Sequence, residues 1–115
     1  MPSRELSWLP LYLVEAVAQA ARDRGVSERA LSPGQFFAQY RRAHGNPAQM
    51  PPAWRDKRNG FVARHREQML TSDRWGSGWD ANGDPTPRHL ALAVWAWSPA
   101  PARLARWLAY EGYLE

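Results

Sequence analysis

Cysteine is absent from the 115-residue chain, and lysine occurs once, at Lys57. Without thiols there is no disulfide, no thiolate nucleophile, no Cys-ligated zinc and no iron–sulfur cluster. Stability must come from a packed core, which a chain of this length can bury as one domain spanning residues 1–115. No run approaches the roughly 20 apolar residues of a membrane-spanning helix. The stretch from Leu6 to Val14 loosely imitates a signal peptide, but Glu5 and Glu15 flank it and Pro10 divides it. The expectation is a soluble, cytoplasmic protein with no membrane association. No apolar–polar alternation is long enough to build a sheet, and there are no internal repeats or heptads.

Apolar residues make up 44 % of the chain and charged residues 23 %, a balance that favours folding over disorder. Seven tryptophans are many for this length, and fourteen of the fifteen basic residues are arginine. A GC-rich genome alone would produce the arginine bias. Size, tryptophan content and lack of motifs suit a small phage or mobile-element protein from such a host.

The net charge of +4 is unevenly placed. Residues 1–40 are neutral, residues 75–115 sum to −1, and residues 41–74 sum to +5. A charge confined to one segment says more about partners than the total does.

Prolines and glycines punctuate the chain into about five helices. Pro10 suits the first turn of a helix that should run to about Arg24 and stop at Gly25, with Leu11, Val14 and Val17 on its apolar face. Ser32, Pro33 and Gln35 form a cap-then-proline signal for a second helix holding Phe36, Phe37 and Tyr40 and ending at Gly45. Asn46-Pro47 reads as a turn, and Pro51-Pro52 opens a third helix over about Ala53 to Leu70. Thr86-Pro87 begins a fourth, through about Trp97, and Ser98-Pro99 a fifth, carrying Leu104, Trp107 and Leu108. The last two are expected to pair as an αα-hairpin rather than a DNA-reading helix-turn-helix, because Arg103 and Arg106 alone charge the fifth and the turn glycine is missing. The fold class is all-α. The connection over residues 71–86 is long and rich in Trp and Gly, with Asn82-Gly83 able to make a small hairpin turn.

The third helix carries the most specific pattern. At 100° per residue, Trp54, Phe61, Val62, His65 and Met69 fall on one arc, which should face the core. Arg55 and Arg66 rim that arc on one side, and Lys57 and Arg64 on the other. Arg58 sits inside it, where a guanidinium needs an acid, a cluster of carbonyls or an edge open to water. An ordinary helix with long side chains along its edges accounts for the rim. So does a phosphate-binding helix, extended by Arg41, Arg42 and Arg74, because the guanidinium fork grips two oxygens at once. Trp75 and Trp79, with glycines between them, can stack on bases or fill a partner's pocket, or fold back on the core.

Catalysis has no support in the pattern: no His pair has metal-ligand spacing, and no Ser, His and Asp suggest a triad. Asp80, Asn82 and Asp84 open like a calcium loop, but Pro85 replaces its glycine and Ala91 its bidentate glutamate. His44 sits near a helix end, His65 at a core edge and His89 in a first turn. No catalytic residue, cofactor or metal is expected. The leading expectation is a non-enzymatic protein contacting phosphates of DNA or RNA through Arg41, Arg42, Arg55, Lys57, Arg58, Arg64, Arg66 and Arg74, aided by Trp75 and Trp79. The alternative is an interaction module or small inhibitor using the same residues as anchors on an acidic protein surface.

Overall fold

In the computed structural model, which describes residues 7–72 and 78–114, five helices follow one another. They are α1 (Leu11–Asp23), α2 (Phe36–Arg42), α3 (Pro52–Ser72), α4 (Pro87–Val94) and α5 (Pro101–Tyr110), with a 3₁₀ turn at Pro47–Gln49 before α3. The described residues hold no strand; a single antiparallel bridge pairs Trp79 with Pro85. The fold is all-α, and its radius of gyration of 13.5 Å matches the ~13 Å of a compact domain this long.

Short α4 organises the packing. Its residues His89, Leu90, Leu92, Ala93 and Val94 are all buried, and only Pro87, Arg88 and Ala91 line a partly open face, so most of its circumference is packed. α1 lies against it, and the buried face of α1 holds Val14, Val17, Ala18 and Ala21, small side chains that suit close packing. α3 covers another side through Arg58, Val62 and Met69, and α2 packs on α3. α5 lies mainly against α1 instead of folding back on α4, so the expected αα-hairpin is not the main contact.

Two boundaries differ from expectation through a left-handed residue. Ser32 and Pro33 do not start α2, because Gly34 follows at φ +77, outside helical space. Residues 32–35 form a turn, and α2 begins three residues later behind an extended Gln35. Helix α4 stops at Val94, short of Trp97, because Ala96 adopts φ +65. That turn aims the Trp95 and Ala96 carbonyls at α3 and lets Ala96 accept from the Leu9 amide at 2.7 Å. The Ser98-Pro99 signal does not start α5 either: Ser98 Oγ accepts from the Ala100 amide at 3.1 Å, and the helix begins at Pro101 behind Ala100; α2 also ends at Arg42, short of Gly45. Two signals hold: Thr86 Oγ1 accepts from the His89 amide at 3.2 Å, capping α4 ahead of Pro87, and Gly25 at φ +67 follows the end of α1.

Asp80 shapes the turn after Trp79, its Oδ1 accepting from the Asn82 and Asp84 amides at 2.8 and 3.0 Å. A polar turn closed by one antiparallel bridge thus stands at Asn82-Gly83, where the sequence allows a small hairpin turn. Among the described residues no three His, Asp or Glu side chains gather as metal ligands, and no helix is long and apolar enough to cross a membrane.

The C-terminal turn is tied back to α1. Tyr113 Oη donates to Asp23 Oδ2 at 2.7 Å, and Arg24 Nη1 donates to the same phenol oxygen at 3.2 Å. The Tyr113 bond, then that from Gln19, holds the Asp23 carboxyl below its ordinary 3.8. A carboxyl with a depressed folded pKa stabilises the fold fully above its unfolded value and ceases to do so as pH falls through the folded one. Acidification below about 3.8 should therefore loosen Tyr113 from α1. In Tyr113→Phe the Asp23 titration should move up toward the ordinary value, as followed by the carboxyl carbon shift in NMR. An unmoved titration would mean that the phenol does not hold the carboxylate.

Candidate binding surface

The expected contact residues separate into groups. Arg58 is in the core, with no exposed surface. Its Nε donates to the Trp95 carbonyl at 2.9 Å; its Nη2 donates to Ala96 O at 2.8 Å and also to Ser7 O; its Nη1 donates to Asn59 Oδ1 at 2.9 Å. The guanidinium lies 3.9 Å from the Trp8 ring centroid. Burial lowers its pKa to about 10, so it remains a cation at neutral pH. The carbonyls at the end of α4 are orphaned by the helix and carry its negative pole, which suits a buried cation. Arg58 thus fastens the N-terminal segment and α4 to α3, and it does not reach the surface where a phosphate would approach. Tyr40 assists by donating to the Leu9 carbonyl at 2.6 Å.

Trp79 is also inward, 4 % exposed, its edge on His89 and Arg103 over its face at 4.0 Å. It caps the core and offers no ring for stacking. Arg74 and Trp75 lie outside the described residues. Arg41 and Arg42 are exposed on α2, with Arg41 Nε 3.8 Å from Glu15 Oε2; such a surface pair contributes little.

The remaining cations sit on the two flanks of α3. Arg55, half-buried, keeps a buried Nε that makes no hydrogen bond among the described residues. It borders a polar cavity of about 560 Å³ with Trp8, Asn46, Asp56 and Asn59. Arg66, on the same flank, lies 5.9 Å from the Trp97 ring. Lys57 and Arg64 are exposed on the opposite flank, two turns apart, about 10.5 Å along the axis. Exposed Asp56, Ala63 and Glu67 form the ridge between the flanks. The basic segment is therefore two short rows divided by acids, not one track.

The Lys57 flank opens on a second cavity of about 430 Å³, lined by Ser27, Arg29, Ala30, Gln35, Lys57, Phe61 and Trp95. Aromatic and apolar surface makes its floor, and two cations stand at its rim. Among the described residues neither Arg29 nor Lys57 forms an ion pair; Lys57 leans on the Trp54 ring at 4.9 Å. The floor rings belong to a stack that runs Phe36–Trp95–Phe61–His65, with centroids 4.8, 4.5 and 3.9 Å apart and interplanar angles of 22° or less. Trp95 and Phe61 each stack with two rings, so their faces are engaged within the stack and their edges are what remains to line the cavity. His65 is fixed in that stack by Nδ1 donating to the Phe61 carbonyl at 2.8 Å.

This cavity was not foreseen. Arg29, Ser27 and Gln35 lie outside the basic segment, and Trp95 is in α4's terminal turn; only the packing of the α1–α2 connection against α3 joins them. The one available signal was Phe61 lying on the same flank as Lys57. Likewise unforeseen, buried His89 bridges Gly78 O at 3.0 Å and Ser98 Oγ at 2.8 Å. This Ser–His contact is closed off, Ser98 being 4 % exposed.

Compared with known proteins, the chain matches no family model, no curated protein and no solved structure.

Proposed function

We propose that the protein is a non-enzymatic binding module that docks an acidic protein surface along the Lys57–Arg64 flank of α3. One observation carries this: the Lys57–Arg64 row, exposed on one flank of α3, borders an apolar cavity whose aromatic rings are already stacked on one another. Single-stranded nucleic acid is held by bases stacking on open ring faces above a continuous basic groove, and duplex by a run of phosphate contacts. Covered faces and divided cation rows suit neither. An apolar cavity with arginine and lysine at its rim suits a protein, whose interface combines a buried anchor with a charged margin.

The test is selection from a random peptide display library on the immobilised protein, beside a salt series with labelled duplex DNA, single-stranded DNA and RNA. Net-acidic peptides should be enriched, and Lys57→Glu with Arg64→Glu should weaken them at least tenfold. Both side chains are exposed, so the double variant should unfold within about 0.5 kcal/mol per site of the parent. Tight nucleic-acid binding that falls steeply with salt, and that the double variant loses, would assign the flank to phosphates and overturn the proposal.

A further inference from the structure

The Phe61–Trp95 cavity defines what the acidic partner must insert. Its volume, about 430 Å³, is within the ~300–1,000 Å³ of ligand-holding clefts. Its floor supplies ring edges, which carry the positive end of the aromatic quadrupole and attract the face of another ring at right angles. The faces that would favour parallel stacking are taken by Phe36 and His65. Aliphatic side chains would gain area but not that edge-to-face term. Arg29 and Lys57, without ion pairs among the described residues, stand at the mouth where the backbone and neighbouring side chains of an inserted residue would lie. Gln35, at the rim, adds an amide with both a donor and an acceptor. Ser27 is held at φ +60, a conformation rare for a residue with a side chain, and it is one of the lining residues.

We infer that this cavity receives one aromatic side chain of a partner protein, flanked in the partner's sequence by carboxylates that meet Arg29 and Lys57. The inference rests on the proposed docking of an acidic protein and adds the anchor. The cations supply encounter rate and register, and the ring supplies residence, the usual division at a protein interface.

The probe is the acetylated, amidated pentapeptide Glu-Asp-Phe-Glu-Asp and its form with alanine in place of phenylalanine, titrated into the isotopically labelled full chain and followed by NMR. The phenylalanine peptide should bind at least tenfold more tightly and shift the Phe61 ring and Trp95 indole signals. Lys57→Glu should reduce that binding at least tenfold, while leaving the spectrum of the free protein otherwise native. Equal binding of the two peptides would overturn the aromatic anchor and leave the acidic-surface reading standing. Equal binding with shifts confined to Arg41 and Arg42 would do the same and move the contact to α2. If neither peptide binds, the anchor is overturned. If duplex or single-stranded DNA instead shifts the Lys57 and Arg64 signals, the docking reading falls with it.

Discussion

Replacing Arg58 with methionine is expected to lower stability by about 2–4 kcal/mol. Two opposed effects decide this value. Methionine relieves the cost of burying a cation, a cost visible in the fall of the guanidinium pKa to about 10. Replacing both partners of a buried ion pair by apolar groups can for that reason be neutral or stabilising. Here most of the described acceptors cannot be replaced. Besides Asn59 Oδ1, they are the backbone carbonyls of Ser7, Trp95 and Ala96, which no substitution removes, and each buried carbonyl left unpaired costs about 1–3 kcal/mol. Ala96 O keeps the Leu9 amide as donor, so the loss concentrates at Trp95 and the N-terminal segment. The unfilled acceptors should outweigh the relief. Urea unfolding should show a lower midpoint with unchanged slope, and the melting temperature should drop by roughly 10–15 °C. Arg58→Lys keeps the charge but not the planar fork that serves several carbonyls at once, and should lose about half as much. Trp8, stacked on the guanidinium at 3.9 Å, should become more exposed in both variants by fluorescence quenching. A methionine variant within 0.5 kcal/mol of the parent, near the ordinary scatter of surface substitutions, would show that the carbonyls do not depend on Arg58.

Much of this fold can be read from punctuation. A proline in the first turn and a glycine after the last mark α1 and α4's start correctly, because proline's fixed φ and glycine's left-handed freedom act locally. The same rule misplaces α2, where Pro33 is followed at once by Gly34, and the glycine prevails. It overextends α4, because Ala96 is driven into left-handed space by tertiary hydrogen bonds that no local pattern announces. The helical arc of α3 locates Val62, His65 and Met69 properly and puts Arg58 among them. It cannot show what Arg58 binds, since every residue has a carbonyl and only the fold selects which point inward. Trp79 illustrates a related limit. Glycine neighbours permit an exposed ring as readily as a packed one, and burial against His89 and Arg103 decides between them.

The candidate surface was half legible for a physical reason. Charge position along a helix follows from its period, so the separation of Lys57 and Arg64 from Arg55 and Arg66 is already in the sequence. Whether those rows amount to a track depends on what lies between them and what faces them. Asp56 and Glu67 occupy the ridge, and the α1–α2 connection brings Arg29 and Ala30 opposite Phe61. That last contact spans some thirty positions along the chain and turns a basic flank into a cavity with a charged rim.

His89→Leu should cost about 2–4 kcal/mol, for a reason connected to the loop before α4. A carbonyl only accepts, so His89 Nδ1 carries a proton toward Gly78 O, and in the neutral ring Nε2 accepts from the Ser98 hydroxyl. Ser98 Oγ in turn accepts from the Ala100 amide at 3.1 Å, at the start of α5. One relay thus runs from the end of the α3–α4 connection to the first turn of α5, through residues with 0 and 4 % exposure. Leucine fills most of the volume but leaves Gly78 O and the Ser98 hydroxyl without their partner. Gly78 has little room to adjust: at φ +80, a Cβ there would meet Met69 Sδ at 2.8 Å and His89 Nδ1 at 3.2 Å. Ser98→Ala should cost less, about 1–2 kcal/mol, by freeing Nε2 and removing the acceptor of the Ala100 amide. The two losses should not add. A double-mutant cycle in urea should give a coupling of about 0.5–3 kcal/mol, the range for residues of one hydrogen-bond network. Additive losses would mean that the relay is two unrelated contacts. The same relay accounts for a Ser–His pair in a protein proposed to be a binder: Nδ1 is spent on a backbone carbonyl, and the hydroxyl is enclosed. A fluorophosphonate probe should therefore leave Ser98 unlabelled in the folded chain, and labelling that His89→Leu abolishes would overturn the structural assignment of this pair.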